Sequence, residues 1–506
     1  MLIQQTKDYY VDVYSRSSSV TGSCTLLSAH FPNGKNFRFL VDCGMFQGGD
    51  ETGKLNQVIP FNTEKINSVF VTHNHIDHVG LLPLLVKEGY QNAIFAPYAT
   101  SRLVDIALYD SCRIKDFTLG DTLYEKNDVE KTLGLIVGSC YKRIMKPHKN
   151  VHVTFYSNGH LVGAAIVLVQ ISYPGREDIN LVFTGDYNNK NIFFNAERLP
   201  QNVRNLNIAA LFTESTYGNM DSTDPSLRPC VVDNTIQAIE AGKTVVYPAF
   251  SQGRYQEMLT YLKVMQTKGK LPENIQIWGD GYTGQEYTKR YLYSDLGIKK
   301  FSRNFLPKNF HSVSGKDKRD IRERIISSRE PKIIIAPGGM GHYGSIQKYI
   351  SNLIGRDDVL IHYLGYCTPE SKAGALIDAK DGDEVTYAGM SYIKKCDIQW
   401  TGELSAHAKR DELLTFTKDF SNLNSVLITH GEPDVRKSYA SYLHENLDES
   451  VKIGILDPDY AYRINENGIQ ETFPSHFQIW NLYSILNSKR DGTILFHLFL
   501  LIHFKI

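Results

Sequence analysis

Four candidate metal ligands fall within six residues: His73, His75, Asp77 and His78 in the segment INSVFVTHNHIDHVG. No other feature constrains the fold as much. In an extended chain, side chains at i and i+2 share a face, so His73 and His75 can reach one ion together. The chain must then turn. Asp77 and His78 precede Val79-Gly80-Leu81, where a helical pattern begins, and can aim at a second ion. Imidazole and carboxylate are ligands that zinc accepts, and an open coordination position makes such a site catalytic.

A two-metal site needs more ligands, and matching contexts supply them. Asp42 ends FRFLVDCG, His160 sits in NGHLVGAA, Asp186 ends LVFTGDY and His430 ends SVLITHG. Each lies beside a strand-like run, with glycine close by. A sheet presents ligands at one edge in this way, and glycine permits the turn. Singly, each reads as a strand-end cap; beside the histidine cluster they read as a set.

The rest of the chain shows the same rhythm. Short apolar runs (Phe37–Cys43, Ile66–Thr72, Ala93–Ala96, Val151–Tyr156, Ala165–Ser172, Asn180–Thr184, Ile208–Phe212) read as strands. Leu81–Glu88, Thr100–Tyr109, Val231–Glu240, Gln256–Met265 and Lys318–Ser328 carry helical periodicity. From about Glu214 to Lys395, strand-like KTVVYPAF, IQIWGD, PKIIIAP and DVLIHYLGY each precede a helical pattern, the signature of βα units on a mostly parallel sheet. The basic run Lys316–Arg324 is interrupted by Asp317, Asp320 and Glu323 and reads as a solvated helix face.

Composition narrows the function classes. The 506 residues carry 55 Lys plus Arg against 55 Asp plus Glu, which excludes binding of nucleic acid by bulk charge but not a local basic groove. Seven scattered cysteines without a CxxC pair point to reduced thiols in a cytoplasmic protein. The N-terminus has no basic region followed by an apolar core, so no secretory signal is expected, and no stretch is long enough for a membrane span. The apolar end TILFHLFLLIHFKI (493–506) reads as a terminal element packed on the body or on a partner.

The series Asp42, HNHIDH, His160 and Asp186 resembles the first four motifs of the metallo-β-lactamase superfamily. Further residues resemble its β-CASP nuclease branch, which includes ribonuclease J and the endonuclease subunit of the mRNA 3′-end cleavage complex. Glu214 in FTESTYG, His407 in ELSAHAKRDEL and His430 in ITHGEPD look like the three β-CASP motifs. PAFSQGRYQEML (248–259) and APGGMG (336–341) are similar to two further elements. The resemblance covers about residues 10–460. Two positions depart from the family pattern. GYCTPESKAGAL (365–376) lacks an arginine, where Lys372 stands as a possible point charge, and Lys409 replaces a common aspartate.

The resemblance implies an α/β fold: a metallo-β-lactamase αββα sandwich with an inserted β-CASP α/β domain. The expected boundaries are 1–210 for the first part of the sandwich, 211–395 for the insertion, 396–475 for the return segment and 476–506 for a tail, with the site in the cleft between domains. It also implies two Zn2+. His73, His75 and His160 would hold one, and Asp77, His78 and His430 the other. Asp186 would bridge, and Asp42 would orient a ligand. The implied activity is hydrolysis of RNA phosphodiesters by a metal-bridged hydroxide, giving 5′-phosphate and 3′-hydroxyl ends, with His407 as general acid supported by Glu214. Ser251, Gly253, Arg254, Gly339 and Lys372 are candidate phosphate-binding residues. Single-stranded RNA is the expected partner, in a homodimer or an RNA-processing complex, with no membrane. The short remainder after about residue 460 favours endonucleolytic relatives.

Two other classes compete. A thioester or lactam hydrolase would need no second domain of this size. A non-catalytic subunit would be expected to have lost ligands, and here none is missing.

Overall fold

The computed structural model describes residues 9–32, 34–47, 53–112, 122–222, 231–298, 303–339, 341, 344–365, 372–401 and 406–475. The tail expected over 476–506 therefore lies outside the described residues. The chain divides into two compact units. The first takes the chain up to Asn189, then Ala196–Ser222, then the chain from His407. The second takes Lys190–Asn195 and Thr223–Ala406. Glu214 and His407 thus both belong to the first unit.

The first unit is a four-layer sandwich. Its strands are β1 (Tyr10–Ser15), β2 (Thr25–His30), β3 (Asn36–Val41), β4 (Ser68–Phe70), β5 (Ile94–Pro97), β6 (Ile136–Ser139), β7 (Ile144–His148), β8 (Val151–Ser157), β9 (Ala165–Ile171), β10 (Ile179–Phe183) and β11 (Asn207–Thr213). The second unit contributes β12 (Thr244–Ala249), β13 (Gln276–Asp280), β14 (Phe310–Val313), β15 (Lys332–Pro337), β16 (Val359–Tyr363), β17 (Glu384–Tyr387), β18 (Met390–Ile393) and β19 (Asp397–Trp400). The chain returns to the first unit with β20 (Asn422–Leu423), β21 (Ser425–Ile428), β22 (Lys452–Ile455), β23 (Tyr460–Asn465) and β24 (Gly468–Pro474).

One sheet runs β24-β23-β1-β2-β3-β4-β5-β6 and the other β22-β21-β11-β10-β9-β8-β7. Alternation along the strands sends Val11, Val13, Leu27 and Phe39 of one sheet, and Val153, Val167, Leu181 and Phe212 of the other, into one shared core. The opposite faces bury helices. Leu82–Lys87, Val104–Ser111 and Lys126–Leu135 pack outside the first sheet, and Arg410–Thr417 and Pro433–Asn446 outside the second. Residues 100–109 do not form one helix. Tyr98–Ser101 and Val104–Ser111 are separate, because the chain bends at Arg102-Leu103 and buries Leu103 completely.

β1 is tied to the return segment by buried charge. Asp12 accepts from Arg463 (Nε 2.9 Å, Nη2 3.2 Å) and lies 3.3 Å from His30 Nε2. Burial would raise the Asp12 carboxyl, but His30 and Arg463 outweigh it and hold it below the usual range. Its stabilisation is therefore present above the unfolded carboxylate pKa and lost as pH falls through the folded one. Asp12→Asn is expected to cost about 1–3 kcal/mol at pH 7. The gap to wild type should close under acid. Urea melts at pH 7 and pH 3 check this.

In the second unit, β14-β13-β15-β12-β16-β19 form a six-stranded sheet in which every neighbouring pair is parallel. Fully buried KIIIAP and TVVYPA form its centre, as continuous apolar runs in parallel sheets do. The connecting helices include Arg254–Thr267 and Tyr282–Tyr293. Helices Lys318–Ser327 and Ile346–Leu353 pack on Val246, Ile334 and Ile361. β17 and β18 pair as a separate hairpin.

Candidate metal centre

The histidine cluster lies where β4 ends. Its turn is strapped to the turn after β3 by three backbone bonds, Cys43 N to His78 O (2.8 Å), Leu81 N to Cys43 O (2.9 Å) and Met45 N to Ile76 O (3.0 Å), and to the β1–β2 connection by Ser23 N to Asp77 O (2.9 Å). Gly44 makes this approach possible, since a Cβ there would fall 1.5 Å from the Asp77 carbonyl oxygen. Asp42 and His430 both leave their strands in the left-handed region, with φ of 61° and 43°. Such backbone in non-glycine residues clusters at functional sites.

These turns bring the candidates into two groups sharing one carboxylate. His73, His75, His160 and Asp186 form the first, with ligand atoms all within 4.8 Å of one another. Asp77, His78, Asp186 and His430 form the second, with the same spread. Asp186 Oδ2 lies 3.5 Å from His73 Nε2 and 3.6 Å from His160 Nε2. Its other oxygen, Oδ1, lies 3.2 Å from His78 Nε2 and 3.4 Å from His430 Nε2. Asp77 Oδ2 stands 3.5 Å from His430 Nε2 and 3.8 Å from His78 Nε2.

A surrounding layer of groups fixes these side chains. Asp42 Oδ2 lies 2.7 Å from His78 Nδ1, and Asp42 accepts from the Thr72 amide (2.7 Å) and hydroxyl (2.8 Å). This leaves His78 Nε2 pointing inward, as an outer carboxylate does for a metal-ligating histidine. Asn158 accepts from the His160 amide (3.1 Å) and donates to the Thr184 and Asp186 carbonyls (3.0 and 2.8 Å), locking two ligand loops together.

His407 and Glu214 stand beside the first group. His407 Nδ1 lies 2.8 Å from Glu214 Oε2, and its Nε2 lies 4.0 Å from Asp186 Oδ2. Glu214 is 1 % exposed and also accepts the Tyr187 amide. The Thr216 hydroxyl sits 3.2 Å from His407 Nδ1 and 3.1 Å from His430 Nδ1. Thr216, Thr72 and Asn158 are absent from the sequence-derived set. All three nevertheless lie in segments already singled out: Thr72 directly before His73, Asn158 two residues before His160 and Thr216 two residues past Glu214.

The donor set fits cations. His73 Nε2, His75 Nε2, His78 Nε2 and Asp186 Oδ1 are buried without a hydrogen-bond partner, an arrangement that costs free energy unless something else satisfies it. Burial drives His73 well below its usual value and His75 down to about 4, so both are neutral donors at pH 7. For His78 and His430 burial acts in the same sense, but Asp186 and neighbouring carboxylates outweigh it and raise both. Burial would raise Asp186, yet His430, His78 and His73 hold it well below the carboxylate range. Removing divalent ions with a chelator is expected to lower the melting temperature. Free metal at about 100 times its Kd should restore about 2.7 kcal/mol per site. Calorimetry with and without added zinc checks this.

The candidate phosphate-binding residues belong to the second unit. Gly253 caps the helix Arg254–Thr267, and its amide donates to Gln256 Oε1 (2.9 Å), while Ser251 O accepts from Gln256 Nε2 (3.1 Å). Arg254, expected as a phosphate fork, is 8 % exposed and its guanidinium is paired with Glu257. Helix geometry explains this, since i and i+3 share a face. Gly339 lies in a turn closed by Gly341 N to Gly338 O (2.8 Å). Lys372 begins the helix Lys372–Asp378, and its side chain lies outside the described residues.

An αββα sandwich with seven histidine and aspartate ligand candidates, joined through one carboxylate at a strand-end rim, defines a metallo-hydrolase. Comparison with known families agrees. Residues 33–213 match the metallo-beta-lactamase superfamily domain, 255–376 the Beta-Casp domain, and 392–453 the Zn-dependent metallo-hydrolase RNA specificity domain. The chain belongs to the metallo-β-lactamase superfamily, in its β-CASP branch. The RNA specificity match contains His407 and His430, so the site is assembled across two family segments distant in sequence.

Among similar proteins, transcription termination factor FttA of Methanosarcina mazei is 28 % identical over 468 residues, covering 87 % of this chain and 70 % of its own length. Ribonuclease TTHA0252 of Thermus thermophilus is 28 % identical over 435 residues, covering 83 % of this chain and 93 % of its own. The solved metallo-beta-lactamase fold protein YhfI from Bacillus subtilis aligns with a TM-score of 0.25 and 17 % identity, over 42 % of this chain and 76 % of that one.

Proposed function

We propose that this protein is an RNA-processing nuclease that hydrolyses phosphodiester bonds at a two-zinc centre. The observation that carries the reading is Asp186, whose two oxygens face two different ligand groups. His73, His75 and His160 would hold one ion and Asp77, His78 and His430 the other, with Asp186 contributing to both. When bound, such ions supply Lewis acidity toward phosphate oxygens and lower the pKa of water. Asp42 keeps the His78 ring in its ligating orientation. His407 gives the Nε2 proton to the departing 3′-oxygen while Glu214 holds Nδ1, leaving Nε2 as the edge facing the reacting bond. The products are then a 5′-phosphate and a 3′-hydroxyl. The similarity to a ribonuclease and to transcription termination factors, and the RNA specificity match, support RNA as the substrate.

The test is a time course with zinc and 5′-end-labelled single-stranded RNA. Internal fragments are expected first, marking endonucleolytic cleavage. Mononucleotide release alone would make it a 5′-exonuclease. No cleavage with two zincs bound per chain, together with turnover of a thioester, would overturn the RNA reading.

A further inference from the structure

His73 and His78 belong to different ligand groups, yet their rings lie side by side, with centroids 4.0 Å apart. Their inner edges meet one carboxylate. His73 Nε2 lies 3.5 Å from Asp186 Oδ2, and His78 Nε2 lies 3.2 Å from Asp186 Oδ1. Their outer edges meet one pair of residues. His78 Nδ1 lies 2.7 Å from Asp42 Oδ2, and His73 Nδ1 lies 3.1 Å from the Thr72 hydroxyl. That hydroxyl lies 2.8 Å from the same Asp42 oxygen. Asp42, Thr72, His73 and His78 are all at most 2 % exposed, so water does not compete for these contacts.

The partners fix where the protons sit. A carboxylate accepts, and a hydroxyl carries one proton and can also accept. Asp42 takes the Thr72 hydroxyl proton, which leaves the Thr72 oxygen to accept. Its nearer ring nitrogen is His73 Nδ1, at 3.1 Å against 3.4 Å for His78 Nδ1. His73 thus carries its proton on Nδ1 and turns the Nε2 lone pair inward. His78 reaches the same state by donating straight to Asp42. One carboxylate outside both groups therefore orients a histidine in each, one directly and one through a hydroxyl.

The surroundings of Thr72 hold that hydroxyl in place. The Thr72 amide donates to Asp42 Oδ1 (2.7 Å), so backbone and side chain engage both carboxylate oxygens. The Thr72 carbonyl accepts from the Ala165 amide (2.9 Å). A Cβ on Gly185 would fall 3.0 Å from Thr72 Cβ and 3.3 Å from its methyl carbon. The methyl thus packs against the glycine that precedes Asp186, and the stiff β-branched rotamer keeps the hydroxyl on Asp42 and His73.

We propose that Thr72 is a positioning residue for the first ion, extending the hold of Asp42 from His78 to His73. This rests on the two-ion reading above and makes its first group depend on one hydroxyl. A threonine that merely steadied Asp42 would act through His78, and so on the second group at least as strongly.

The test is binding of Co2+, a visible stand-in for zinc, to the metal-free full chain, followed by absorption. Two backgrounds isolate the groups: His430→Ala removes a ligand from the second, and His75→Ala removes one from the first. In His430→Ala protein, Thr72→Val should weaken Co2+ binding by about 10–100-fold, the usual effect of losing the outer partner of a ligating histidine, and Thr72→Ser by no more than about threefold. In His75→Ala protein, Thr72→Val should change the affinity by no more than about threefold, because Asp42 still holds His78. Asp42→Asn should weaken binding in both backgrounds. Thr72→Ala carries the same comparison if the valine variant does not fold. Equal loss in both backgrounds, or no loss in either, would overturn the relay and leave the two-ion reading standing. A wild-type chain that takes up no Co2+ would overturn the relay and the two-ion reading together.

Discussion

Asp186→Ala should abolish RNA hydrolysis, with a fall of at least about three orders of magnitude, while the sandwich remains folded. Three orders correspond to about 4 kcal/mol of lost transition-state stabilisation. The expectation follows from geometry. No other carboxylate among the described residues belongs to both four-membered groups, so its removal takes a ligand from each at once. Metal content should fall from two per chain toward one or none. His75→Ala should also abolish hydrolysis, but it removes a ligand from only one group and should spare more metal. Elemental analysis of both variants, beside turnover of labelled RNA, separates the two effects. Unchanged turnover in Asp186→Ala would remove the assignment of this site.

His407→Ala should behave differently. The rate on RNA is expected to fall by about 10²–10⁴-fold, the usual contribution of a positioned general acid, with both metals retained. The distinguishing measurement is a phosphodiester with a p-nitrophenolate leaving group, which departs without a proton. On that substrate the defect should largely vanish. Glu214→Gln should show the same pattern in milder form, because the amide still reaches His407 Nδ1 without its charge. An equal defect on both substrates, or loss of zinc, would place His407 among the ligands instead.

Much of the centre was legible because its residues are clustered or punctuated. His73, His75, Asp77 and His78 declare themselves by spacing alone, since period-two geometry followed by a turn leaves few other readings. Asp42, Asp186 and His430 could be picked out because apolar strand runs stop at them. The parallel sheet of the second unit was equally plain in its βα rhythm, with four runs that became β12, β13, β15 and β16. The break between Tyr98–Ser101 and Val104–Ser111 was not, because periodicity continues smoothly across a bend set by the burial of Leu103.

Sequence alone therefore determined the candidate ligand residues, the strand ends that present them and the class of fold, because these depend on local periodicity and on residue type. Only the tertiary structure decided the rest. It gave each oxygen of Asp186 to a different group, placed the Thr216 hydroxyl between His407 and His430, and set Asn158 to couple two ligand loops. It turned Arg254 inward onto Glu257. These outcomes join residues up to hundreds of positions apart, and no local pattern encodes which side chain a distant strand will bring within hydrogen-bond reach.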